Sequence, residues 1–220
     1  LTEYIKTTRL KYAWLTCSSE MSDLRVFLLY LITALQKVND NFGEVSLAFL
    51  STYKVIDVKD FVTVFLNELG SSLTEQITLI IDDFYLVEST VNPEKVSEFL
   101  NELLNELPFF LRLLISTRQG LKLKTERLRG KRDYFEVGND ILRVSNSEVK
   151  ETSAVIYRRP LNDFEVEKIQ EICNGWFTPI HFMLQKETID ISMDYLVIQD
   201  VNAYLSEDFF ETINPELKSF

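Results

Sequence analysis

Histidine and cysteine are nearly missing from this chain: one His, at position 181, and two Cys, at 17 and 173, in 220 residues. With no CxxC pair and no Cys/His spacing, a zinc site of the usual kind has too few ligands. The two distant cysteines suit a reducing compartment, and neither has an activating group nearby in sequence, which argues against a thiol nucleophile. Long apolar runs are lacking too. The longest, Val26–Leu35, is bounded by Arg25 and Gln36 and spans only about half a bilayer, so it reads as a packed helix and no membrane partner is expected. No secretory pattern stands at the N-terminus, and the expected location is the cytoplasm. Cations are in short supply: 23 Lys and Arg against 34 Asp and Glu give a net charge of −11. Such a chain is repelled overall by phosphate backbones, which makes it a poor candidate for nucleic-acid binding.

What is present is ordinary globular material, 46% hydrophobic and 12% aromatic, enough for one sizeable core or two modest ones. Leu1–Thr8 reads as the tail of a helix without a cap, which predicts that the natural chain extends upstream. Tyr12–Cys17 reads as a buried strand. Ser22 or Asp23 then caps a helix to about Val38, with apolar residues at Leu24, Phe27, Leu28, Leu31, Ile32 and Leu35 in helical spacing. Val45–Tyr53 and Val58–Leu69 read as helices, the second ended by Gly70. Ile77–Asp83 is an unbroken apolar run closing on two carboxylates. Asn92-Pro93 opens a helix to about Leu107. Leu111–Ser116 is a further strand, Leu121–Leu128 a helix and Tyr134–Val137 a last short strand.

Strands alternating with helices predict a parallel sheet covered on both faces. From the capping box Ser145-x-x-Glu148 onward the chain reads as helical, with helices near 146–157, 162–173, 177–186, 194–204 and 206–213. The predicted division is an α/β part over 1–143 and a helical part over 144–220.

Asp82 and Asp83 are the strongest chemical signal. An apolar strand ending in an acid can hold the water shell of Mg²⁺, and a neighbouring acid can orient or deprotonate an attacking water. The bland alternative is a pair of solvated strand-end acids. Arg118 follows the strand Leu111–Ser116, where a cation can sense a terminal phosphate; a lone exposed arginine is the commoner case. Gly175-Trp176-Phe177-Thr178-Pro179 is a turn into a helix start that could cover an adenine ring, although Pro179 is equally a first-turn proline. The basic run Lys122, Lys124, Arg127, Arg129, Lys131 and Arg132 reads as a solvated face, and His181 as a packed histidine. A phosphate loop needs Gly, four residues, then Gly-Lys-Ser/Thr. The single Gly-Lys, at Gly130-Lys131, has Thr125 where the first Gly belongs and Arg132 after the lysine. No such loop is present.

In order and spacing these residues resemble the signal-transduction ATPases with numerous domains, especially the large LuxR-type, maltose-regulator-like activators. The resemblance is carried by Tyr12-Ala13-Trp14-Leu15, the helix Phe27–Leu35, Leu79-Ile80-Ile81-Asp82-Asp83-Phe84, Leu114-Ile115-Ser116-Thr117-Arg118, Arg127-Leu128-Arg129 and Asn174-Gly175-Trp176 with Pro179. It implies a P-loop NTPase-like core of the AAA-type class followed by a helical lid. Asp82 would bind Mg²⁺ through water, Asp83 and Arg118 would be catalytic, and Pro179 would contact nucleotide. The implied cofactors are ATP or ADP with Mg²⁺. The implied behaviour is an ATP-dependent switch that self-associates or binds other protein domains, and that meets DNA only through a separate domain. The chain departs from the family in lacking the phosphate loop, so it is expected to be inactive alone. A non-catalytic interaction scaffold with the same fold stands as the alternative.

Overall fold

The computed structural model describes residues 7, 10–73, 75–90, 93–118 and 120–185. The predicted helices at 194–204 and 206–213, the helical tail Leu1–Thr8 apart from Thr7, and Asn92 lie outside them. The chain divides into two compact units, Leu1–Tyr134 and Phe135–Phe220, nine residues ahead of the boundary read near 143; each is described by itself.

The first unit is mixed α/β. Strand β1 is Tyr12–Thr16, β2 is Ile77–Asp82 and β3 is Leu111–Ile115. They form a parallel three-stranded sheet in the order β1-β2-β3, with Ala13 opposite Leu79 and Leu79 opposite Leu113. The connections are helical. Between β1 and β2 run α1 (Leu24–Gln36), α2 (Glu44–Thr52) and α3 (Val58–Ser72). Between β2 and β3 run the short α4 (Tyr85–Glu88) and α5 (Glu94–Asn105). After β3 comes α6 (Glu126–Lys131).

The caps explain where the helices begin. Asp23 accepts the amide of Val26 at 3.0 Å to start α1, and Asp57 accepts those of Lys59 and Asp60 to start α3, satisfying donors that have no partner inside the helix. Gly70 does not end α3, as its position predicts, because the helix runs on to Ser72. A Cβ at Gly70 would meet the Phe110 ring at 3.0 Å, so this glycine serves a close approach rather than a stop. Pro93 stands just before α5, at the cap position rather than in the first turn.

Because side chains alternate across a strand, the sheet has two unlike faces. Ala13, Leu15, Ile77, Leu79, Ile81 and Leu111 join the buried core with Phe27, Leu31, Phe61, Phe65, Phe99 and Leu103 from α1, α3 and α5. The other face carries the rows Tyr12, Thr78 and Arg112 and Trp14, Ile80 and Leu114, which stand outside that core. Both connections step the same way across the sheet. With the usual right-handed crossover they fall on one face.

Two expected elements differ. Tyr134–Val137 is not a strand: Phe135 and Val137 are 79% and 51% exposed, and the Tyr134 ring lies 4.2 Å under the Arg129 guanidinium. Its β-forming composition pairs with no strand among the described residues. The helix expected at Leu121–Leu128 begins instead at Glu126. Before it, Leu123 and Thr125 point inward while Lys122 and Lys124 are exposed, so the basic run is an exposed ridge anchored by apolar residues.

The second unit is helical in its described part: α7 (Asn139–Leu142), α8 (Asn146–Val155), α9 (Asp163–Cys173) and α10 (Phe177–Gln185). Ser145 and Glu148 form the predicted capping box, and Asn162 with Glu165 forms a second. Val149, Val166, Ile169, Cys173, Ile180 and Met183 build a small separate core. No helix among the described residues is long and apolar enough to cross a membrane.

Candidate functional site

The parallel register brings three strand ends together at their carboxyl termini, the edge where ligands bind in open α/β sheets. The end of β1 supplies Cys17, the end of β2 supplies Asp82 and Asp83, and the end of β3 supplies Ser116, Thr117 and Arg118. The ends are laced by main-chain bonds: the Cys17 amide donates to the Asp82 carbonyl at 2.8 Å, and the Ser116 amide to the Ile81 carbonyl at 2.9 Å.

Asp82 and Asp83 differ in setting. Asp82 is the last residue of β2, and its Oδ1 accepts a hydrogen bond from the Ser116 hydroxyl. Asp83 has left the strand with φ of 56°, a left-handed backbone that Asp tolerates better than most residues but still at a cost. Its amide donates to Ser116 Oγ at 2.9 Å, and the next amide, Phe84, donates to the Ser116 carbonyl at 2.9 Å. Neither Asp82 Oδ2 nor the Asp83 carboxylate makes a hydrogen bond or ion pair among the described residues. Two acceptor groups therefore remain for a ligand.

Arg118 lies with its guanidinium carbon 4.6 Å above the Tyr85 ring, a cation–π placement that holds the head group beside α4. The same short helix braces the loop that carries Arg118. Glu88 accepts from the Thr117 hydroxyl at 3.4 Å and from the Lys122 amide at 3.3 Å. Cys17 is 4% exposed, and its thiol is pushed up to about 12 by burial and then by the nearby Asp83 and Asp82 carboxylates. It stays protonated and is no nucleophile at neutral pH.

Pro179 is buried in the first turn of α10, in the second unit. Gly175 has φ of 75° and Trp176 is 47% exposed. His181 is packed as expected: its Nδ1 bonds the Tyr157 hydroxyl, its Nε2 lies 2.9 Å from the Gln185 amide nitrogen, and Phe177 stacks on the ring. Among the described residues no group of three or more His, Cys, Asp or Glu side chains could hold a metal ion. A cation at Asp82 would have to be carried largely by water and ligand oxygens, as Mg²⁺ commonly is.

Sequence reasoning placed Asp82, Asp83 and Arg118 at neighbouring strand ends and passed over Ser116, Tyr85 and Glu88. Ser116 stands in the same strand-end segment as Arg118, but its bonds become visible only once β2 and β3 are in register. Comparison with protein-family models and with curated proteins finds no match for this chain. Fold and site together define a mixed α/β protein with an acidic strand-end cluster on a small parallel sheet.

Proposed function

We propose that this chain carries the Mg²⁺ side of an ATP-binding switch, working in a transcriptional or signalling regulator with slow hydrolysis. The carrying observation is the convergence of Asp82, Asp83 and Arg118 at one sheet edge, with Asp82 Oδ2 and the Asp83 carboxylate left without a hydrogen bond or ion pair among the described residues. Asp82 would hold the water shell of the ion that accompanies the nucleotide. Asp83, one residue further and turned out of the strand, would orient the attacking water. Arg118 would leave the Tyr85 ring to meet charge on the terminal phosphate.

The sheet supports the reading in a second way. β3 turns Leu111, Leu113 and Ile115 to the core, and no described strand pairs with its outer edge. A parallel strand added there and leading back to β1 would step across the sheet in the opposite direction. Its crossover helix would then fall on the Trp14, Ile80 and Leu114 face. A strand–loop–helix unit of that kind is where a phosphate-binding loop sits in such folds.

One observation favours a second reading: 220 residues contain no Gly-x₄-Gly-Lys-Ser/Thr, and those amides and that lysine normally supply most phosphate contacts. On that reading the same fold is a protein-binding scaffold. Mutants of the intact protein separate the two. Asp83→Asn and Arg118→Ala are each expected to lower Mg-ATP turnover by roughly 10²-fold or more while leaving the melting temperature within a few degrees. Wild-type protein that is folded and has no Mg-ATP turnover or binding would leave the scaffold reading standing.

A further inference from the structure

Ser116 makes more contacts than a strand-end serine needs. Its amide and carbonyl continue the ladder to Ile81 and Phe84, which any residue could do. Its side chain does two further things. The single hydroxyl proton goes to Asp82 Oδ1, and the hydroxyl oxygen accepts the Asp83 amide at 2.9 Å. One oxygen therefore fixes the carboxylate of the first acid and the backbone of the second. Asp83 sits at φ of 56°, and such a conformation persists when its surroundings over-determine it. Ser116 Oγ is the one side-chain group among the described residues that holds the Asp83 amide.

We propose that Ser116 is the positioning residue of this site: its hydroxyl sets the rotamer of Asp82 and the left-handed backbone of Asp83, so that both carboxylates present their remaining oxygens to the same ligand. Donation to Asp82 Oδ1 leaves Oδ2 as the oxygen directed to an ion's water shell. Capture of the Asp83 amide turns that side chain away from the line of β2 and separates the two acids into different roles. The catalytic part of this proposal rests on the ATPase reading; the geometric part does not.

The test uses the intact protein as wild type, Ser116→Ala and Ser116→Thr, with two readouts. The first is amide hydrogen exchange resolved by residue. In Ser116→Ala the Asp83 amide is expected to exchange about tenfold faster, as the loss of one hydrogen bond implies. The Phe84 amide, bonded to the Ser116 main chain, is expected to stay within about twofold and reports that the sheet end is still folded. Ser116→Thr keeps the hydroxyl and is expected to leave both amides near wild type.

The second readout is Mg-ATP turnover. Ser116→Ala is expected to lower kcat by roughly 10- to 100-fold with KM little changed, and Ser116→Thr to restore it to within about threefold. Unchanged Asp83 exchange in Ser116→Ala would overturn the geometric claim. Equal kcat in the Ala and Thr variants would overturn the positioning role. A wild type that turns over no ATP would refute the ATPase reading and with it the catalytic role, while the exchange result would still decide whether Ser116 fixes Asp83.

Discussion

Truncating Phe99 to alanine is expected to lower the stability of the first unit by about 4 kcal/mol, read as a shift of the urea midpoint at constant slope. Phe99 lies on α5 and is fully buried, with the rings of Phe27, Phe61 and Phe65 about it at centroid distances of 6.1, 6.0 and 6.1 Å. Among the described residues it is the one ring paired with aromatic residues of both α1 and α3, so it joins the helices covering the core face of the sheet. Removing it loses the transfer free energy of the ring, leaves a cavity that three surrounding rings cannot collapse to fill, and forfeits edge-to-face contacts worth about 1 kcal/mol each. Phe99→Leu refills much of the volume and is expected to recover more than half of the loss.

Replacing Glu68 with alanine is expected to cost about 3 kcal/mol, with a pH dependence that identifies the cause. Glu68 projects from α3 and its carboxylate caps the neighbouring α2 from outside. Oε1 accepts the amides of Gly43 and Val45 at 3.0 and 2.8 Å, and Oε2 accepts the Ser46 amide at 2.8 Å and the Ser46 hydroxyl. These are the unpaired donors of a helix N-terminus, where negative charge is also favoured by the dipole. Gly43 can enter this turn at φ of 109° because it has no Cβ; one there would meet Ile32 and Gln36 at under 3.0 Å. Burial alone would raise the Glu68 carboxyl, but the Ser46 hydroxyl and the three amides outweigh it and hold the group below the ordinary carboxylate range.

The sign of the pH effect follows. The folded state binds this proton less readily than the unfolded one, so stability rises with pH through that interval. The contribution is complete above the unfolded value, about 4.3, and is lost as pH falls through the lowered folded value. The difference between wild type and Glu68→Gln is therefore expected to be largest near neutral pH and to shrink on acidification. A difference that stayed constant with pH would assign the loss to packing instead.

Much of the scaffold was legible in the sequence because its strands are short, mainly apolar runs with polar residues at or just past their ends. Ile77–Asp82 and Leu111–Ile115 are of that kind, and a parallel sheet buries such runs on both faces. Asp82, Asp83 and Arg118 were legible as strand-end residues for the same reason: Asp82 closes β2, and Asp83 and Arg118 follow β2 and β3. The failures share one cause. Tyr134–Val137 has strand composition, but strand formation needs a neighbour, and no local pattern reveals its absence. Glu68 reads as one more surface acid on an amphipathic helix, because its donors lie 22 to 25 residues away in sequence. Ser116 is likewise joined to its carboxylates across 33 and 34 residues. Side chains that cap or position across elements leave no periodicity to read.

Asp82, Asp83 and Arg118 are proposed to form the Mg²⁺ side of a nucleotide site. Calorimetric titration of Mg-ATP tests it most directly, comparing residues 1–220 alone with the protein expressed from its complete natural reading frame. The account predicts no measurable heat for residues 1–220. It predicts binding in the micromolar range for the complete protein, weakened at least about tenfold by Asp82→Asn. A folded complete protein that gives no Mg-ATP binding, or strong binding by residues 1–220 that is indifferent to Asp82→Asn, would contradict it.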